Sequence, residues 1–365
     1  MSKAVKLSSL AIAIAAASLS AQAASQSSLE ERIAKLEKQL AEKKYADEKS
    51  EFKIYGAFRP TLAYIDTKDA NSQTDIKDGA SHLGFTGSYE IAPELKAIYK
   101  AEWWLRLDDD ATIGNARFVY GGLEGKLGTI KIGKMRQPHS LLIASPVDIY
   151  HNIESPFGYD KETPYFMDNL VSYQYDLNNF TLMAAAQFNG KDEIENHTDT
   201  LNLGGRYKND RFSVALSWAS SERLKRNDGS DSDKKVAAEE DIIAIAGSVN
   251  ILSNLYAGLA YQDKSTTFHA TNLDASGYSL DAVLSYDINK SHTIKGGYFA
   301  NEEEFDKSDE KIMDYSGFNV TYLYKLADNV SVHLEYLTKD YDNNIGGTDE
   351  DAVAVGFSYG FSKSF

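Results

Sequence analysis

The chain contains no cysteine among its 365 residues, so disulfides, thiolate metal ligands and cysteine nucleophiles are all excluded. Proline is scarce, at 6 residues. Positive charge is in short supply: 38 Lys and Arg stand against 54 Asp and Glu, for a net charge of −16. With no basic tract to displace phosphate counterions, a nucleic-acid partner is not expected. Mean hydropathy is −0.41, low for a helical membrane protein. What the chain does have is aromatic residues, with 23 Tyr and 16 Phe, a composition suited to a sheet protein.

The first stretch reads as a targeting segment. Lys3 and Lys6 precede the apolar run Leu10 to Ala17, and Ala21-Gln22-Ala23 offers a small-x-small cleavage site. Residues 1–23 are therefore expected to be a secretory signal peptide; the run falls short of the ~20 residues that cross a bilayer. Next, Leu29, Ile33, Leu36 and Leu40 are spaced 4, 3, 4, the seam of a coiled coil. Two heptads are too short to be stable alone, so 24–51 is expected to be an oligomeric coiled coil with a polar spacer. A solvated helical linker is the plainer alternative.

From Phe52 onward, segments of about ten residues alternate in polarity between turn-forming residues. Sixteen segments are read, from 52–66 and 79–91 to 329–341 and 350–365. Their connections alternate too. Tight turns such as Ala92-Pro93-Glu94 and Asn209-Asp210 take turns with long acidic loops such as 67–78, 137–165 and 221–239. Short turns at one end, long loops at the other and an even strand number describe a transmembrane barrel. The expected fold is thus all-β, a 16-stranded antiparallel transmembrane barrel over 52–365 behind a short helical segment. In a barrel the apolar face meets lipid and the charged face meets water, which assigns Arg59, Lys100, Glu102, Arg106, Arg117 and Lys134 to the lumen. Arg136 joins them only if a bulge shifts its strand. Trp104 and Tyr55 also fall on lumen parity, too few for an aromatic track.

Several stretches in order resemble the general trimeric porins of Gram-negative outer membranes. They are Ser81-His82-Leu83-Gly84-Phe85-Thr86-Gly87, Glu102, Arg117 to Leu123, Leu127 to Lys134, Ser155-Pro156-Phe157-Gly158, Asp168 to Tyr173, and the terminal Phe365. The resemblance implies an outer-membrane channel for passive diffusion of ions and small hydrophilic solutes. It implies a third loop, 137–165, folded into the lumen, with Asp148, Glu154, Asp160 and Glu162 facing a basic wall of Arg59, Lys100, Arg106, Arg117 and Lys134. Glu102 is expected to partner Lys100 and Arg106. Two positions depart from the family: His82 stands where Arg is common, and Phe166 near where another basic residue is often found. The thinned basic ladder and acidic loops together favour cations. The resemblance also implies a homotrimer, with 24–51 in the periplasm, contacts with membrane lipid and lipopolysaccharide, and Phe365 as the signal read by the barrel-assembly machinery.

Other classes are weighed against this. No serine motif accompanies the histidines, and no cofactor is needed, so an enzyme is not expected. Acidic stretches such as 302–310 have the oxygen ligands that Ca²⁺ or Mg²⁺ prefer, without EF-hand spacing. A substrate-selective porin, for anions or oligosaccharides, and an envelope tether to peptidoglycan through 24–51 remain as alternatives.

Overall fold

A computed structural model describes residues 31–38, 49–108, 112–151, 165–188, 200–224, 236–269, 271–308, 310–342, 345 and 347–365. The expected signal peptide, Leu29 and Leu40 lie outside these residues. Two units emerge, Met1–Glu51 and Phe52–Phe365. In the first, residues 31–38 are helical, with Ile33 and Leu36 on its exposed surface.

The second unit is a closed antiparallel barrel. Its strand segments are β1 (Ser50–Phe58), β2 (Pro60–Thr67), β3 (Gln73–Asp78), β4 (His82–Ala92), β5 (Leu95–Leu105), β6 (Ile113–Gly125), β7 (Gly128–Arg136), β8 (Phe166–Leu177) and β9 (Phe180–Gln187). They continue as β10 (Thr200–Lys208), β11 (Phe212–Leu224), β12 (Val236–Leu252), β13 (Leu255–Phe268), β14 (Leu273–Asp287) and β15 (His292–Phe305). The last are β16 (Lys311–Ala327), β17 (Val330–Tyr341) and β18 (Glu350–Ser364). Segments β1 and β2 both pair with β18, while β3 pairs with β2 and β4 with β1, so each couple is one broken strand. The eighteen segments therefore make sixteen staves, each hydrogen-bonded to its neighbours. Closure leaves no backbone edge to strand in hydrocarbon.

Both breaks have local causes. Pro60 has no N–H to donate to a ladder, and Ala80 sits at φ 72 in the left-handed region. The gap is spanned by the Arg59 N–H donating to Ser81 Oγ at 2.7 Å and the Ser81 N–H donating to Asp78 Oδ2 at 3.0 Å.

Outward positions are apolar and exposed, among them Leu62, Leu216, Ile243, Leu259, Phe318 and Val355. Their sequence neighbours Ala63, Ala215, Ala244, Ala260, Asn319 and Ala354 face inward and are buried. The final strand follows the same rule: Val353, Val355, Phe357 and Tyr359 lie on the outer face, and β18 seals the cylinder against the first strand. There the Phe365 N–H donates to Phe52 O at 2.8 Å, with the two rings 6.0 Å apart. Strands β11 and β12 run past the expected 211–220 and 240–251. Ser220, Ser221 and Glu222 pair with Asp241, Glu240 and Glu239 there, polar on both faces, so no alternation marks the strand.

Candidate functional site

The lumen is divided between a charged wall and a wall that carries the inward loop. After β7 the chain turns inward through a single π-type turn, Ser140–Ala144, whose Leu142, Ile143 and Ala144 are buried. With Val147 they pack on lumen-facing Met183, Ala215, Ala244, Ala246, Ala260 and Val283 from β9 and β11 to β14. The root of the loop is fixed by buried His139, whose Nε2 lies 3.0 Å from Gln262 Oε1 and Nδ1 3.3 Å from Ser217 Oγ. With the amide oxygen as acceptor, Nε2 carries the proton. Further along, Tyr256 donates its hydroxyl to Pro146 O at 2.6 Å.

The described part of the loop ends at His151, which is tied to β15 and β17. Lys295 donates to Ile149 O and to His151 Nε2, the latter at 3.1 Å. The His151 N–H donates to Glu335 Oε2 at 3.2 Å, and Thr321 Oγ1 donates to the same oxygen at 2.6 Å. The His151 and His333 rings stack 5.1 Å apart. Desolvation, reinforced by the Lys295 ammonium, holds the His151 imidazole down to about 3, so it is neutral near pH 7.

The charged wall lies on β1 and β4 to β8, and Glu102, 3% exposed, is its centre. Its carboxylate accepts from Tyr55 OH at 2.7 Å and pairs with Arg117 Nε at 3.0 Å and Lys100 Nζ at 3.4 Å. A carboxylate this buried is tolerated only with such partners. Aromatic rings fill the spaces between the cations. Lys100 Nζ sits 3.6 Å from the Phe118 centroid, and the Arg117 guanidinium carbon 4.1 Å from Trp104 and 5.1 Å from Phe166. The Arg136 guanidinium carbon lies 4.6 Å from Tyr165 and 5.4 Å from Phe166, and Lys131 Nζ lies 5.6 Å from Tyr120.

Of the residues expected on this wall, the structure brings Lys100, Glu102 and Arg117 into contact. Arg59 sits at the break between β1 and β2. His82 holds its Nδ1 2.9 Å from Ala80 O, at the second break. Arg106 is not beside Glu102: it lies past the end of β5, where its N–H donates to Thr112 O at 3.1 Å. Lys134 is also displaced. It pairs in an unbroken ladder with Val119, an outward residue, and shares the parity of exposed Ile130 and Ile132; on its other side, against β8, the register shifts between Gly133 and Met135. That same bulge turns Arg136 inward opposite Phe166. A second irregularity, where Glu102 pairs with Phe118 but Trp103 with Ala116, puts both Arg117 and Phe118 inside. Phe118, Tyr120 and Lys131, inward by alternation with exposed Val119, Leu123, Ile130 and Ile132, are wall residues beyond those expected from the sequence; Gly133, at φ 133, and Asn169, at φ 53, sit at the bulge.

On the loop, Asp148 is exposed and accepts from Tyr165 OH. Glu154, Asp160 and Glu162 lie outside the described residues. At the external loops Lys68 pairs with Asp349 at 2.9 Å, and Lys311 with Glu302 at 3.6 Å and with Asp314. Among the described residues, no group of three or more His, Asp or Glu is placed to hold a metal ion.

This geometry has known counterparts. The Gram-negative porin family matches residues 9–344. A monosaccharide porin of Halomonas is 24% identical over 352 residues, covering 87% of this chain and 93% of that protein. The major outer membrane protein P.IB of Neisseria meningitidis is 27% identical over 224 residues, 58% of this chain and 62% of its own length. In structure, the anion-selective porin of Comamonas acidovorans superposes with a TM-score of 0.68 at 16% identity, covering 86% of this chain and 100% of its own. OmpT of Vibrio cholerae, in a trimer form, gives 0.69 at 16% identity, with 86% and 100% covered. A sealed sixteen-stave cylinder, apolar outside, with a loop docked across its interior, is the architecture of a water-filled channel, and with this sequence match the chain belongs to the Gram-negative porin family as an outer-membrane porin.

Proposed function

We propose that the channel passes small hydrophilic solutes by passive diffusion, without covalent chemistry, and that it favours anions where it is narrowed. The observation that carries this is the cationic wall facing a loop pinned to the other side. Lys100 and Arg117 pair with Glu102, Arg136 lies close by over Tyr165 and Phe166, and Lys131 continues the wall toward Glu124 and Asp176. Charges on the outer loops act weakly at that depth, because screening takes effect over about 8–10 Å at physiological salt. This reverses the cation preference expected from composition. Planar-bilayer recording tests it: discrete channels in KCl, and a reversal potential in a salt gradient of the sign for chloride. A purified, folded barrel that formed no channels would overturn the diffusion reading, and a cation-signed potential would overturn the preference.

We further propose that the channel is a homotrimer assembled with help from residues 24–51. Ile33 and Leu36 are 49% and 44% exposed on the helix, an apolar edge that two further copies of the chain would cover. Deleting 24–51 is expected to lower the yield of trimers and of three-step closures. Intact trimers with a weakened envelope would instead mark this segment as a tether. Phe365, bonded to the first strand, is proposed as the residue that assembly requires.

A further inference from the structure

The charged wall has more than the cations needed to steer ions. Its rings form a continuous row through Phe166: Trp104 and Phe118 meet it edge-to-face, 6.0 Å away at 87° and 5.1 Å away at 85°, and Tyr165 lies tilted, 6.1 Å away at 46°. Trp104, Phe118, Tyr165 and Phe166 are half-buried, so the row lies against the lumen instead of being sealed in a core. Arg117 and Arg136 flank it. Glu102 is already satisfied by Tyr55, Arg117 and Lys100. Among the described residues no carboxylate pairs with Arg136, whose described contacts are the two ring faces. Contact with a ring face leaves the N–H donors of a guanidinium available, and those donors match a carboxylate in a two-pronged fork.

We propose that Arg136, Phe166, Tyr165 and Trp104 form a binding subsite for aromatic carboxylates. The carboxylate takes the Arg136 fork, and the flat ring of the solute extends the row of Phe166 and Trp104. An aliphatic anion satisfies only the charge and a neutral ring only the aromatic row, so the class that gains from both is a planar ring bearing an anionic group. This rests on the channel reading above, and the two fail in different ways.

The test is single-channel recording in KCl with three probes: benzoate, cyclohexanecarboxylate of the same charge and similar size, and uncharged benzyl alcohol. Benzoate is expected to reduce the KCl current saturably, at a concentration about fivefold lower than either control. Each variant is referred to its own KCl conductance. Arg136→Gln is expected to raise the half-blocking benzoate concentration about tenfold, with Arg136→Lys in between. Phe166→Leu, which keeps apolar bulk, is expected to raise it about threefold. Equal block by benzoate and cyclohexanecarboxylate, or unchanged half-block in both variants, would overturn the subsite. Absence of any KCl channel in the unaltered protein would overturn the channel reading and the subsite with it.

Discussion

The two halves of the lumen wall are built from opposite side chains. Where the loop docks, on β9 to β15, small inward positions such as Ala215, Ala244, Ala246, Ala260, Gly258 and Gly297 make room between larger ones such as Met183, Val283 and Gln262. A Cβ added at Gly258 would meet Pro146 O at 2.6 Å, and one at Gly297 would strike the Tyr150 hydroxyl. On the facing side, β5 to β8 present Lys100, Glu102, Trp104, Arg117, Phe118, Arg136 and Phe166. One wall is a bed shaped for the chain's own loop, and the other is left for whatever passes. Small side chains make room for the loop on one wall, and Gln262, Tyr256, Lys295 and Glu335 hold it there.

Breaking the charged wall at its centre should have the largest effect. Glu102→Ala leaves Arg117 and Lys100 buried without their counter-charge, and is expected to cost about 3–5 kcal/mol in a denaturant titration of the detergent-folded barrel. Unchanged stability would mean that solvent already screens the cluster. Filling the bed should come next: Gly258→Val overpacks the loop seat at Pro146, with an expected loss of about 1–3 kcal/mol and noisier open-channel current. A quiet, fully stable variant would show that the loop does not depend on that close approach.

Acid should loosen the bed and spare the wall. The docked loop holds His151 neutral, with its proton affinity lowered from the usual 6.5 to about 3. Docking is therefore fully supported above about pH 6.5 and weakens as pH falls from there toward about 3, because the undocked ring takes up a proton first. Current noise should rise on acidification to about pH 4, and His151→Gln should reduce the rise. The smallest effect is expected outside both walls. Lys68→Ala removes an exposed pair with Asp349 and should change neither stability nor conductance measurably.

Much of the fold was legible because barrel strands carry a local code. Val353 to Phe365 alternate large and small by themselves, and so did the other staves, which gave the even count and the apolar exterior. The wall was legible only as far as alternation lasts. Lys100, Glu102 and Trp104 follow it, whereas Lys134 and Arg136, of one parity, end on opposite faces across one bulge. Arg117 breaks the alternation of its own strand, because a second irregularity places it beside Phe118 on the same side. The small residues of the bed were visible at lumen parity, but nothing in them said that the loop would lie there.

The sequence by itself determined that this chain closes into a cylinder, since period-two polarity and turn chemistry act between neighbours along the chain. Only the tertiary structure decided which cations share Glu102, which rings sit between them, and where the loop rests. Those outcomes depend on register and on contacts between residues more than a hundred positions apart, such as Lys295 with His151, and no local pattern encodes either.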